Sequence, residues 1–119
     1  MNNLPRVTVT RTTTTIDERT TLDVGGEIDY STAPGMYGDV LAMTSGVLHL
    51  VLDFSRVEFC DSSGLSALLG VWRRLHADGG TLTITDAPSH VAKAMRVVGM
   101  DELITVHPRS TGTTPTSTT

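Results

Sequence analysis

The run Asp61-Ser62-Ser63-Gly64 has the residue types best suited to chemistry in this sequence. It carries a carboxylate and two hydroxyl groups, and it precedes a segment with helical spacing of apolar residues. Hydroxyls in the first turn of a helix lie near unpaired backbone N–H groups and the positive end of the helix dipole, which favour negative charge. The run is therefore a candidate site for phosphorylated serine. Serine is also a preferred N-cap, so Ser62 or Ser63 could simply cap the helix, and the two roles are compatible.

A catalytic serine is the second interpretation of this run. Gly64 lies two residues after Ser62, as in the nucleophile elbow G-x-S-x-G, but Cys60 occupies the position of the other glycine. Four histidines are present, and none follows an obvious catalytic arrangement: His49, His76, His90 and His107. The half-matched motif makes a serine hydrolase the weaker alternative.

Composition excludes several classes of function. The 119 residues carry a formal net charge of −4, with 13 acidic and 9 basic residues and no basic run that could follow a phosphate backbone. Cys60 is the only cysteine, which excludes an intramolecular disulfide and two-cysteine metal or redox motifs. The longest apolar run, Val47–Phe54, is far below the roughly 18 residues that span a bilayer, and Met1–Pro5 lacks the features of a signal peptide. We expect a cytoplasmic domain without a cofactor that binds neither nucleic acid nor membrane.

Alternating patterns predict the strands. Threonine alternates with valine over Val7–Thr15, and Thr20–Val24 resumes the alternation, which predicts a hairpin that ends at Gly25-Gly26. Val47–Phe54 is nearly continuously apolar, as is typical of a central strand covered by helices. Two further short strands are predicted over Thr81–Thr85 and Leu103–Val106.

Three segments have helical spacing. The clearest starts at the Asp61–Gly64 run and ends at Gly79-Gly80, a weaker one covers Asp29–Met43, and a third covers Pro88–Gly99. The order strand, strand, helix, strand, helix, strand, helix, strand predicts an α/β fold with a mixed four- to five-stranded sheet flanked by helices. Sites in such sheets lie at the carboxyl ends of strands, where the Asp61–Gly64 run is placed.

The domain is expected to cover residues 1–107. Residues 108–119 consist of Pro, Arg, Gly, Ser and Thr and cannot supply a core face, so we expect a disordered tail there.

The segment Val51–Leu65, VLDFSRVEFCDSSGL, resembles the signature of anti-sigma factor antagonists of the STAS domain family. Val24–Asp29 resembles the Gly-Glu-Leu-Asp element of that family, and Ala87–Met100 resembles its last helix and turn. The resemblance extends over about residues 7 to 107 and implies a STAS-like fold.

This resemblance implies a regulatory switch that acts through protein partners. The serine directly after the aspartate is the phosphorylated residue of the family, which implies Ser62 here, with Ser63 the weaker alternative. Unphosphorylated protein would bind an anti-sigma factor that is also a serine kinase and so release the sigma factor, and phosphorylation would end that binding. A serine phosphatase is a further candidate partner.

Partner contacts are expected around Ser62, from residues Glu27, Asp29, Asp61, Ser63, Gly64 and Leu65. Glu27 and Asp29 could instead form a solvated strand end, and Leu65 could belong to the core. Asp53 is expected to accept local backbone hydrogen bonds, and Cys60 to be a buried apolar residue. A STAS scaffold or small-ligand-binding module that never meets a kinase remains the alternative function.

Overall fold

The computed structural model describes residues 7–11 and 19–109. The strands are β1 (Val7–Arg11), β2 (Arg19–Ile28), β3 (His49–Cys60), β4 (Thr81–Ala87) and β5 (Thr105–Pro108). The helices are α1 (Ala33–Ala42), α2 (Ser62–Ala77) and α3 (Ser89–Val97), and a short 3-10 turn covers Met100–Glu102. The predicted α/β fold and the predicted order of elements are confirmed.

The five strands form one mixed sheet in the order β1-β2-β3-β4-β5. β1 is antiparallel to β2, and all other neighbouring pairs are parallel. This confirms the predicted hairpin at one edge and the predicted central strand. Each helical crossover leads to the next strand in the same direction, and such crossovers are right-handed, so the three helices pack on one face of the sheet.

The core lies between that face and the helices. Alternate strand residues such as Leu22, Leu52 and Ile84 are fully buried and share one apolar cluster with Leu68 of α2 and Met95 of α3. This packing holds the carboxyl end of β3 and the start of α2 in a fixed position.

β2 and β3 are longer than the sequence pattern predicts. The pattern ends the second strand at Gly25-Gly26, but β2 continues to Ile28 beside β3, which continues beyond Phe54 to Cys60. The register shifts on both sides of the glycine pair, and Gly26 has a φ of 99°. The prediction that these glycines end the strand is wrong, because they form an irregularity within it. The extension brings the end of β2 alongside the end of β3.

Other boundaries differ by a few residues. α1 starts at Ala33 rather than Asp29, and β5 ends at Pro108. The backbone amide of Arg109 donates to the carbonyl of Ala87 at 2.7 Å. Residues 12–15 of the predicted first strand and residues 110–119 of the predicted tail lie outside the described residues, so the domain boundary stays a prediction. Among the described residues, no helix is long and apolar enough to cross a membrane.

Candidate functional site

The Asp61–Gly64 run forms the junction between β3 and α2. Asp61 is the N-cap of α2, and its carboxylate accepts hydrogen bonds from the backbone amides of Ser63 at 2.8 Å and Gly64 at 3.2 Å. The amide of Asp61 donates to the carbonyl of Ile28 at 3.0 Å. A serine cap, the simpler interpretation of the sequence, is wrong, because the preceding carboxylate already satisfies the amides of the first turn.

Ser62 is the first residue of α2 and is exposed, whereas Ser63 is half-buried. Neither capping hydrogen bond involves the Ser62 hydroxyl. The helix end therefore does not depend on this hydroxyl, which an enzyme could modify without breaking the cap.

Gly64 sets the distance between α2 and the strands beneath it. A Cβ atom here would lie 2.5 Å from Sγ of Cys60 and 2.7 Å from Cγ2 of Ile28. Leu65 is 9% exposed and belongs to the core. Gly64 and Leu65 thus hold the turn from inside the protein. The predicted contacts of Ser63, Gly64 and Leu65 with a partner protein stay a prediction.

The end of β2 brings Glu27 and Asp29 to the same edge of the sheet as the turn. Glu27 pairs with Phe59 in the β2–β3 register and is exposed. Oδ1 of half-buried Asp29 accepts hydrogen bonds from the Ser31 amide at 2.9 Å, the Ser31 hydroxyl at 2.7 Å and the Thr32 amide at 3.2 Å. Asp29 therefore builds the turn that leads into α1.

Three carboxylates, Glu27, Asp29 and Asp61, make this edge of the sheet acidic. The positive end of the α2 dipole faces the same edge but is already paired with Asp61. A phosphate on Ser62 would share the helix end with a carboxylate, so its added charge would be only partly offset.

Cys60 lies buried beneath the turn. Burial raises the pKa of its thiol to about 12, and the neighbouring negative charge of Asp61 acts in the same direction. The prediction of a buried apolar residue is confirmed. The carboxylate of Asp53 accepts a hydrogen bond from the Ser55 amide at 2.9 Å, which confirms its predicted local role.

Two of the four histidines, His49 and His76, lie away from the turn and cannot act as the base for a nucleophile at Ser62. His49 begins β3, at the other end of the strand from Ser62, and its Nδ1 lies 2.8 Å from the Thr81 hydroxyl. His76 stacks on Trp72 in the last turns of α2, with ring centroids 4.6 Å apart. Within residues 7–11 and 19–109, no group of three His, Cys, Asp or Glu residues could hold a metal ion.

A groove between α1 and α2 adjoins the turn, and sequence reasoning missed it. Its volume is about 510 Å³, and it is open to solvent. The lining residues are Tyr30, Ala33, Pro34, Tyr37, Ser63, Ser66, Ala67 and Gly70. The only signal in the sequence is Tyr30, an aromatic residue within a polar turn. Ser63 belongs to both the turn and the groove.

The amino-acid sequence of this chain matches a known protein family. Residues 12–105 match the family model described as "Mlab, STAS domain". The chain belongs to the STAS domain family. The matched part of the STAS domain includes the whole Asp61–Gly64 turn and the acidic end of β2.

Similar STAS proteins carry the name anti-sigma factor antagonist. The anti-sigma-B factor antagonist of Bacillus subtilis (strain 168) is 22% identical over 91 residues, which are 76% of this chain and 84% of that protein. The crystal structure of an anti-sigma factor antagonist from Mycobacterium paratuberculosis has a TM-score of 0.74 at 25% identity, with 91% of each chain covered. The Bacillus cell fate determinant SpoIIAA in its phosphorylated form has a TM-score of 0.64 at 20% identity, with 83% of this chain and 90% of that chain covered. The first two names describe regulators that antagonise anti-sigma factors.

Proposed function

We propose that this STAS domain is an anti-sigma factor antagonist that phosphorylation of Ser62 switches off. In the cytoplasm, the unphosphorylated form binds an anti-sigma factor that is also a serine kinase, and the sigma factor is released. The observation that carries the proposal is the exposed Ser62 hydroxyl at the start of α2, beside a cap that does not use it. The names of the similar proteins and the existence of a phosphorylated form of SpoIIAA support it.

The position of Ser62 suits a kinase substrate. A kinase must reach the hydroxyl, and Ser62 is exposed whereas Ser63 is half-buried with its amide held by Asp61. Ser62 is therefore the proposed acceptor, with Glu27, Asp29, Asp61 and the Ser63–Leu65 segment around it as the proposed contact surface.

The charge of a phosphate explains why binding would fail while folding would not. Phosphoserine adds about −1.5 to −2 charges near pH 7. In the free protein this charge stays in water on an exposed residue, close to the helix dipole. In an interface, a desolvated and unpaired charge costs on the order of 2 to 5 kcal/mol, or roughly 30-fold to a few thousand-fold in affinity.

The experiment is intact-mass analysis after incubation with candidate serine kinase/anti-sigma proteins and ATP. The parent and Ser63→Ala should each gain one phosphate, and Ser62→Ala should gain none. The gained phosphate should be lost again on treatment with the serine phosphatase of the same system. No gain with any candidate would contradict the proposal and favour a kinase-independent scaffold or small-ligand-binding module.

A further inference from the structure

We infer that the groove between α1 and α2 is a second contact site for the same kinase, and that phosphorylation leaves this contact unchanged. The proposed occupant is an apolar, uncharged segment of the anti-sigma kinase that modifies Ser62. The inference rests on the proposed function, because it names a further part of the same interface.

The lining of the groove selects the chemistry of its occupant. Two tyrosine rings, two alanines, a proline, a glycine and two serines line it, and none of these side chains is charged. The neighbouring turn, in contrast, carries Asp61 and lies beside Glu27 and Asp29. A charged segment in the groove would lose water without gaining a counter-charge, whereas an apolar segment would bury surface on both sides.

The shape of the groove depends on two small residues of α2. A Cβ atom at Gly70 would lie 3.0 Å from Cε1 of Tyr37, so the tyrosine ring lies directly against the helix. Ala67 lies one turn earlier on the same face. At the rim, Tyr30 is 79% exposed. An exposed aromatic ring with a polar tip is the kind of side chain that contributes strongly to protein interfaces.

Continuity with Ser62 identifies the partner. Ser63 lines one end of the groove and directly follows Ser62 in the first turn of α2. Ser66, which also lines the groove, follows Ser62 by one turn on the same face of α2, so a kinase whose active site covers the Ser62 hydroxyl lies beside this end of the groove. The same protein can extend along the groove towards Gly70, which makes the kinase the proposed occupant.

This arrangement divides the interface into two parts with different responses. A phosphate on Ser62 changes the charge of the turn but does not change the uncharged groove. The contact of the Tyr30 ring, at the rim of the groove, should then contribute equally to the binding of the unphosphorylated and the phosphorylated protein.

The test uses two groove variants, each with a matched control. Tyr30→Ala removes the exposed ring, and Val97→Ala, at the end of α3, is its control because Val97 is 74% exposed. Ser66→Arg places a charge in the groove, and Ala77→Arg places the same charge at the other end of α2. Tyr30 and Ser66 line the groove, whereas Val97 and Ala77 do not. Only Tyr30→Ala and Ser66→Arg should therefore weaken binding to the kinase.

The affinity for the kinase that phosphorylates Ser62 is measured by calorimetry with ADP present, in the parent and in the Ser62→Asp background. We expect Tyr30→Ala and Ser66→Arg each to weaken binding of the parent at least about tenfold, and the controls to bind normally. Only Tyr30→Ala should weaken binding by the same factor in both backgrounds, because an arginine at position 66 would pair with an aspartate one helical turn earlier at position 62. Circular dichroism on each variant verifies that it is folded.

Three results would overturn the inference. If the parent gains a phosphate on Ser62 but both groove variants bind as the parent does, the groove contact is wrong and the proposed function stands. If no candidate kinase modifies Ser62, the proposed function fails, and the occupant fails with it. If the parent is a dimer that Ser66→Arg converts to a monomer, the groove holds a second copy of this chain instead.

Discussion

The carboxylate of Asp61 accepts a hydrogen bond from the backbone amide of Ser63 at 2.8 Å, and this bond defines the start of α2. Because Asp61 makes this bond, capping of the helix and phosphorylation, which the sequence alone allows one serine to combine, fall to two different residues. Asp61 caps the helix. Ser62, which lies between Asp61 and Ser63 and is exposed, is available for regulation. A charge can therefore be added at Ser62 without removal of the cap.

Replacement of the cap should lower stability. Asp61→Ala removes the acceptor for two backbone amides and should reduce the free energy of unfolding by about 0.5 to 2 kcal/mol. Asp61→Asn keeps an acceptor and should lose less. Urea unfolding measures both, with Asp78→Ala at the exposed C-terminal end of α2 as the control, which should be as stable as the parent or slightly more so. Equal stability of Asp61→Ala and the parent would show that the cap contributes nothing.

Two glycine substitutions should have opposite effects. Gly64→Ala forces a methyl group against Cys60 and Ile28 and should destabilise the protein by about 1 to 3 kcal/mol. A methyl group at Gly38, inside α1, meets no atom within 4 Å, so Gly38→Ala should stabilise by about 0.5 to 1 kcal/mol. Thermal unfolding of the two variants distinguishes close packing from helix propensity. A Gly64→Ala variant as stable as Gly38→Ala would contradict the packing.

The Cys60 thiol should be unreactive in the folded protein. Because its pKa is raised from 9.0 to about 12, the thiolate population at pH 8 is about a thousandfold below that of an ordinary thiol. Reaction with an aromatic disulfide reagent at pH 8 should be slow in the folded protein and fast in urea. Above pH 9 the unfolded state loses this proton while the folded state keeps it, so stability should fall as the pH rises from 9 towards 12. Rapid modification of the folded protein would contradict the burial.

Substitution of Ser62 should separate folding from binding. Ser62→Asp and Ser62→Ala both change an exposed side chain outside the cap, so each should unfold within about 0.5 kcal/mol of the parent. Ser62→Asp should nevertheless bind the kinase more weakly than Ser62→Ala. Urea unfolding and binding with ADP present measure the two effects on the same samples. A large loss of stability in Ser62→Asp would mean that charge at this position acts through the fold.

The order of elements was predictable because burial produces strong periodic patterns. The apolar segment that includes Leu50 and Leu52 predicts the central strand, and these residues are buried in it. The ends of β2 and β3 were not predictable in the same way. Glycine usually interrupts strands, and the sequence does not show that Gly26 occupies an irregularity that the neighbouring strand accommodates.

The candidate site was predictable in part. The residue types and the family resemblance both indicated the Asp61–Gly64 turn, but the choice of cap depends on which of three adjacent polar side chains reaches the free amides. The role of Asp29 depends on a local turn with Ser31, and a solvated strand end would have the same sequence. The α1–α2 groove arises from the packing of two helices that are distant in sequence, so only the structure shows it.

The most direct test of the phosphorylation switch compares unphosphorylated protein with protein phosphorylated on Ser62, each titrated into the same anti-sigma kinase with ADP present. The account predicts that the phosphate weakens binding by roughly 30-fold or more, and that dephosphorylation restores the original affinity. Equal affinity of the two forms would contradict the account.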